Sequence, residues 1–412
     1  QPGRVARAQG RVMGAALPVQ VASGSDRAEQ VRRSVASSIG EFKALRRDLH
    51  QHPELSFQEF RTAAIVAERL AQWGYEVTTG IAGTGVVGTL RRGRGECRLG
   101  IRADMDALPI QEATGLPYAS VNPGVMHACG HDGHTTVLLA AARYLAQEGQ
   151  WDGTLHLIFQ PAEEGGGGAR QMIAEGLFER FPCDAVFGLH NWPCVEAGHF
   201  GCVSGPAMAS VDQALITVRG KGGHGAAPQD TVDPVVASAH IITALQSVVS
   251  RNVDPLDMGV VTVGSIHGGH AANVIPESVE LKITARAFKP EVRALLQRRV
   301  PEVARAQAES FGATAEVDYR LGYPAVINHD KETAFARQVA LDTFGVTAVD
   351  AGFRPRTASE DFAYMLQSRP GAYLFLGNGE GAALHSPHYD FNDATLVPAA
   401  TYWARLVERY LA

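Results

Sequence analysis

The densest polar cluster in the chain is His127-Ala-Cys129-Gly-His131-Asp132-Gly-His134, which precedes a helical pattern. Cys129 and His131 stand two apart, so a tight turn lets both face one ion, and a thiolate with an imidazole suits a borderline cation of the zinc type. The competing reading is a helix-entry loop in which His131 and Asp132 only cap backbone amides. The crowding of donors favours the metal.

Gln160-Pro-Ala-Glu163-Glu164-Gly follows the apolar run Leu155 to Phe159. Adjacent carboxylates diverge along an extended backbone, so one can bind a metal while the other accepts a proton from water, the division of labour that hydrolysis requires. A Glu-Glu pair alone is usually a solvated turn, but here it stands directly behind a wholly apolar strand, where strand ends collect ligands. The run Gly165 to Gly168 lacks the Gly-Lys-Ser/Thr ending of a phosphate loop and reads as a flexible helix entry. His190 ends the apolar stretch from Val186, and His385 follows a Gly-rich loop. Each would be a hydrogen-bonded structural histidine were Cys129, His131 and Glu164 not still short of donors for a metal pair. Gly220 to Pro228 presents His224 in a glycine-rich loop. Asn273 and Arg286 flank a strand, and a guanidinium with an amide suits a carboxylate.

The elements that must position these groups alternate. Helical spacing runs from about Glu29 to Leu49 and from Phe57 to Trp73; β-rich runs follow at Val86 to Leu90 and Cys97 to Ala103. A helix (Thr135 to Gln147), a strand (Thr154 to Phe159), a helix (Ala169 to Ala174) and a strand (Ala185 to Leu189) continue the pattern. This predicts an α/β class with a mixed, largely parallel sheet flanked by helices. Near Ser204 the style changes. Asp212 to Arg219, a helix Val232 to Val249, strands Val260 to Ile266 and Ser278 to Arg286, a helix Glu291 to Phe311 and Ala315 to Tyr319 form a split βαβ unit, an inserted α+β domain of ferredoxin-like order. The expected organisation is a flexible tail over 1–29, a catalytic domain over 30–204 and 321–412, and the insert over 205–320. A helix from Glu332 to Phe344, a strand Ala372 to Leu376 and a closing helix Val397 to Leu411 complete the second catalytic part.

With 412 residues, 37 basic against 43 acidic side chains, a net charge of −6 and 45% hydrophobic residues, the composition is that of an ordinary globular protein. It offers no basic face for nucleic acid and no apolar run long enough for a membrane helix. Five cysteines are too few and too odd in number for a disulfide framework, so a reducing, cytoplasmic setting is expected.

Taken in order, Arg46-Arg-Asp-Leu-His-Gln-His-Pro-Glu54, Ile101-Arg-Ala-Asp-Met-Asp-Ala-Leu-Pro109, Met126 to His134, Gln160 to Gly165 and Leu384-His385 resemble the peptidase M20 metalloenzymes. They are most similar to the branch of hippurate hydrolases, N-acyl-amino-acid amidohydrolases and auxin-conjugate hydrolases, over roughly residues 30 to 412. The resemblance implies two divalent metal ions, zinc or else manganese, cobalt or nickel, held by Cys129, His131, Glu164, His190 and His385. It implies Glu163 as general base, His224 as oxyanion stabiliser reaching across a dimer, and Asn273 and Arg286 as holders of the substrate carboxylate. It further implies that the insert dimerises and covers the substrate, giving a homodimer or higher homo-oligomer. Much of the wider family has a metal-binding His where this chain has Asp104; the thiol motif at Cys129 stands in for it, with Cys129 the favoured bridging ligand.

The expected activity is hydrolysis of an N-acyl-L-amino acid to a carboxylic acid and a free amino acid. A metallo-dipeptidase or carboxypeptidase with the same centre is the nearest rival, and a silent metal-binding protein is opposed by the intact Glu163-Glu164 pair. A serine hydrolase lacks its Gly-x-Ser-x-Gly elbow.

Overall fold

Apolar residues at helical spacing, Val31, Val35, Phe42, Leu45 and Leu49, form the buried stripe of α1 (Gly24–Gln51). The computed structural model describes residues 24–412, so residues 1–23 of the expected tail lie outside the described residues. The helix starts at Gly24, ahead of the expected Glu29, and its first turns are anchored: Arg27 donates to the Tyr144 hydroxyl (2.9 Å) and to Glu408 (3.3 Å) on the last helix.

Along the chain come α2 (Phe60–Gln72), β1 (Glu76–Ile81), β2 (Gly85–Arg92), β3 (Arg98–Asp104), α3 (His131–Gln147) and β4 (Gly153–Gln160). Then follow α4 (Gly168–Ala174), α5 (Leu177–Arg180), β5 (Ala185–Pro193), β6 (Phe200–Gly201) and β7 (Gly205–Met208). The middle stretch holds β8 (Ser210–Arg219), β9 (Gly223–His224), α6 (Pro234–Asn252), β10 (Gly259–His267), β11 (Val274–Ile275), β12 (Ser278–Ala287), α7 (Pro290–Glu309) and β13 (Thr314–Leu321). The chain closes with β14 (Val326–Asn328), α8 (Asp330–Phe344), β15 (Val349–Asp350), α9 (Ala363–Ser368), β16 (Gly371–Gly379) and α10 (Leu396–Tyr410).

Eight strands make a central sheet in the order β1-β2-β4-β3-β5-β16-β6-β15, in which β4, β3, β5 and β16 run parallel. Strict side-chain alternation serves two cores at once: Val86, Phe187 and Leu374 pack with α1, α3 and α10, while Val87, Val186 and Phe375 pack with α4 and α9 on the other face. Continuous apolar runs, expected of parallel strands, are therefore covered on both sides.

A second sheet, antiparallel in the order β10-β12-β8-β13, is covered on one face only, by α6 and α7. Ile216, Val218, Leu281 and Ile283 fill that core with Ile241, Leu245 and Leu296 of the helices. Asp233 caps α6 by accepting from the amides of Val235 and Val236, and Pro234 occupies its first turn. The opposite face is turned toward a cavity shared with the central sheet. Among the described residues no helix is long and apolar enough to cross a membrane. All five cysteines are free.

Candidate metal centre

The polar groups gather where the parallel strands end. β3 leads into Met105-Asp106, β4 into Glu163-Glu164, β5 carries His190, and the stretch after β16 brings His385. His131 opens α3, which begins there and not at Thr135, so His131 to His134 form its first turn. Gly130 precedes it at φ 91°, and a Cβ there would lie 2.4 Å from Asn191 Oδ1 and 2.7 Å from the Tyr389 hydroxyl. Only glycine fits that entry. The first turn has no side-chain cap: Asp132 instead meets His50 Nδ1 at 2.9 Å and Arg46 at 3.5 Å, which removes the capping reading.

Six of the candidate residues, Cys129, Glu163, Glu164, His190, His385 and Arg286, line one cavity of about 980 Å³. His131 stands against them. Cys129 Sγ lies 3.4 Å from His190 Nε2, His385 Nε2 lies 3.2 Å from Glu164 Oε1, and His131 Nε2 lies 3.9 Å from the same oxygen. Donor atoms of Cys129, His131 and His190 fall within 4.8 Å of one another, as do those of Cys129, Glu164 and His385 and those of His131, Glu163 and Glu164. The sets share members, so the five expected ligands form one linked cluster with two ends.

Hydrogen bonding fixes the outer ring nitrogens of two of these histidines. His190 Nδ1 lies 2.6 Å from Asn191 O and His131 Nδ1 lies 3.2 Å from Asp106 Oδ1, which turns each Nε2 inward toward the cluster. His131 Nε2 and Glu164 Oε1 are buried with no hydrogen-bond partner. Orphaned buried polar atoms carry a desolvation cost that coordination of a cation would remove. A thiol, three imidazoles and a carboxylate also fit a pair of divalent ions chemically.

The electrostatics point the same way. Burial opposes protonation of His131, but Asp104, Asp106 and Glu164 outweigh it and lift its pKa to about 10. His190 is pushed well down by burial and by His134. Burial, with Glu164, Glu163 and Asp104 close by, holds the Cys129 thiol well above its ordinary range. Such a surplus of negative groups around a thiol is relieved by a cation, which deprotonates a coordinating thiol outright. Glu163 is buried beside Glu360, Glu164, Asp361 and Asp106, and burial first, then those carboxylates, raises its proton affinity well above the ordinary range. A carboxyl whose proton affinity is raised in this way is suited to taking up and returning a proton.

His224 and Asn273 do not join this cluster. His224 lies on β9 and Asn273 just ahead of its ladder partner β11, where the Gly225 amide donates to Asn273 O at 2.8 Å, and neither lines the cavity. Arg286 does reach it, from β12, with its guanidinium donating to Thr357 O at 3.0 Å.

Sequence reasoning passed over Asp106, Glu360 and Asp361. Asp106 accepts from the amides of Glu163 (3.0 Å) and Glu164 (2.9 Å) and from the Ser56 hydroxyl (2.8 Å), while also meeting His131. Its signal was available, since it follows the apolar β3 as Glu163 follows β4. Glu360-Asp361 lies in a loop with no such strand before it. His134, in the same dense motif, is engaged at both ring nitrogens, with Asp104 Oδ1 and Asn191 Oδ1 each at 2.6 Å.

The profile of peptidase family M20/M25/M40 matches residues 100–409. A hippurate hydrolase of Campylobacter jejuni is 46% identical over 372 residues, which is 90% of this chain and 97% of that protein. An N-acetyl-L-cysteine deacetylase of Bacillus subtilis is 40% identical over 369 residues, 89% of this chain and 87% of its own. A solved Bacillus subtilis structure, described as a dinuclear metal binding peptidase from the M20 family, superimposes with a TM-score of 0.78 at 34% identity, covering 91% of this chain and 99% of that one.

Proposed function

Because this chain belongs to peptidase family M20/M25/M40, we propose that it is a metal-dependent amidohydrolase cleaving the amide bond of N-acyl-L-amino acids, hippurate-like in kind, to a carboxylic acid and a free amino acid. The observation that carries this reading is the buried Glu163 carboxyl, paired with no Lys or Arg among the described residues, standing in a donor cluster built around Glu164. Cys129, His131, Glu164, His190 and His385 would hold two divalent ions, and the thiol among them suits zinc, with manganese, cobalt or nickel as the other candidates. Such ions supply Lewis acidity that polarises a carbonyl oxygen and makes water easier to deprotonate.

The chain's own groups do the rest. Glu163 takes the proton of the attacking water and returns it to the departing amide nitrogen, which leaves as an amine. Arg286 offers its guanidinium to the carboxylate of the amino acid, across the cavity from the metal cluster. His224 on β9 and Asn273 just before β11, both exposed, are suited to act on the cavity of a second copy, His224 toward the oxyanion and Asn273 toward the carboxylate. This is consistent with residues 205–320 being a dimerising and covering domain between two catalytic parts, 30–204 and 321–412.

The test is turnover by metal-loaded protein on N-acetyl, N-benzoyl and longer-acyl amino acids beside plain dipeptides, with and without a chelator. Hydrolysis of the acylated substrates, lost on chelation and restored by metal, is expected. Cleavage of the free-amine dipeptides alone would replace this reading with a dipeptidase.

A further inference from the structure

We propose that Tyr323 is a positioning residue for Glu163, passing the seating of the four-stranded layer to the turn that carries the proton-transfer carboxylate. The role rests on the reading of Glu163 given above. Glu163 lies in a tight turn after β4 whose Ala162 sits at φ 53°, a region sparsely populated by residues with a Cβ and kept only where the surroundings over-determine it. Glu59 accepts the Ala162 amide at 2.9 Å, Asp106 accepts those of Glu163 and Glu164, and the Gly168 amide donates to Ala162 O at 3.1 Å. These restraints come from the central layer or from the turn itself.

Tyr323 is the exception. Its hydroxyl donates to Glu163 O at 2.7 Å and accepts the Gly167 amide at 2.8 Å, so one oxygen joins both arms of the turn. It stands on the chain returning from the four-stranded layer, two residues past the end of β13. Tyr323 O accepts the Val211 amide at 3.0 Å, tying this crossing to the outgoing one at the start of β8. Gly322 before it is fixed to the layer: its amide donates to Asp212 at 3.0 Å, and its carbonyl accepts from Arg293 of α7 at 2.9 Å. A Cβ at Gly322 would lie 2.4 Å from Val211 O, so the two crossings are packed backbone to backbone. A tilt of the four-stranded layer therefore moves Gly322 and Tyr323 as one piece and reaches the Glu163 carbonyl through the Tyr323 hydroxyl.

The experiment uses the full-length, metal-loaded protein. Tyr323→Phe keeps the ring and removes both hydrogen bonds. On an N-acyl amino acid that the wild type hydrolyses, kcat should fall about tenfold, the size of a mispositioned catalytic group's modest loss, with KM and bound metal unchanged. Amide exchange over residues 163–168 should quicken while β4 and α3 keep their protection. In a Glu163→Gln background the same change should add nothing to the residual rate, since the hydroxyl acts through that side chain. Arg293→Met, which removes one of the two bonds on the Gly322 carbonyl and leaves that of Tyr364 without touching the turn, should give a smaller loss with the same local exchange signature. A full tenfold loss persisting in the Glu163→Gln background, or wild-type rate and exchange in Tyr323→Phe, would overturn the proposal. A wild type inert toward every N-acyl amino acid would instead defeat the amidohydrolase reading, and the exchange measurement alone would then decide whether Tyr323 holds the turn.

Discussion

The two sheets of this molecule solve different problems. In the four-stranded layer the core is apolar save for Asp212, paired with Arg293, and the buried hydroxyls of Ser210 and Ser238; β8 and β12 alternate buried with less buried residues, and the histidines His224, His240, His267 and His270 all face outward. In the central layer Arg102, Asp104, Asp106, His131, Glu163, Glu360 and Asp361 are all buried among the strand ends. Burying charge is costly unless it is paired and hydrogen-bonded. Arg102 meets that condition by donating to Gln160 (2.7 Å), Asp104 (2.6 Å), Glu360 (2.8 Å) and Asp361 (3.2 Å). The central layer thus keeps its chemistry at the expense of stability, and the other layer keeps a simple core.

That contrast can be broken by mutation. The largest effect belongs to Glu163→Gln: kcat should fall about 10²–10⁴-fold, the usual contribution of a general base, with metal content and thermal melting unchanged in steady-state and calorimetric assays. Arg102→Leu should cost about 3–5 kcal/mol, because it strands buried carboxylates without a counter-charge; urea unfolding of the metal-free protein measures it. A milder loss would mean that those carboxylates neutralise themselves by binding protons. His156 of β4, 4% exposed and accompanied by the Thr89 hydroxyl at 2.9 Å, has its pKa lowered to about 4, chiefly by burial. The unfolded imidazole takes its proton near pH 6.5, so the unfolded state binds more protons between the two values. Its contribution is whole above about pH 6.5 and drains away as pH falls toward 4, a loss on the order of 2–3 kcal/mol. Denaturation at pH 7 and pH 4.5 should show a shallower decline in His156→Asn than in the wild type. The smallest effect is Ile216→Val in the four-stranded core, about 0.5–1.5 kcal/mol and indifferent to pH; a cost rivalling Arg102→Leu would erase the distinction.

The same contrast explains what could be read from the sequence. Period-two strands and capped helices of the four-stranded layer, such as Ser278–Ala287 and the Asp233-Pro234 start of α6, advertise themselves locally. The continuous apolar runs of β4 and β5 did so too, and with them the polar groups at their ends. Short pieces with no periodicity of their own, β7, β14 and β15, exist only through pairing with distant partners and carried no local signal. Within the candidate site, Cys129, His131, Glu163 and Glu164 were legible because each sits in a dense motif or directly behind an apolar run, whereas His190 and His385, lone histidines, were picked out only by the shortage of donors and by the family resemblance. Glu360 and Asp361 were not, since only tertiary packing brings that loop to Glu163.

β16 lies in the interior of the central sheet, between β5 and β6, although it is made near the end of the chain. During synthesis the long parallel edge of β5 must wait, unzipped, for more than a hundred and fifty residues to emerge, and His385 arrives only after that. The proposed ligand set is therefore complete only once residue 385 has been made. Any ribosomal product released before residue 371 would carry an open β5 edge ready to pair with a neighbour.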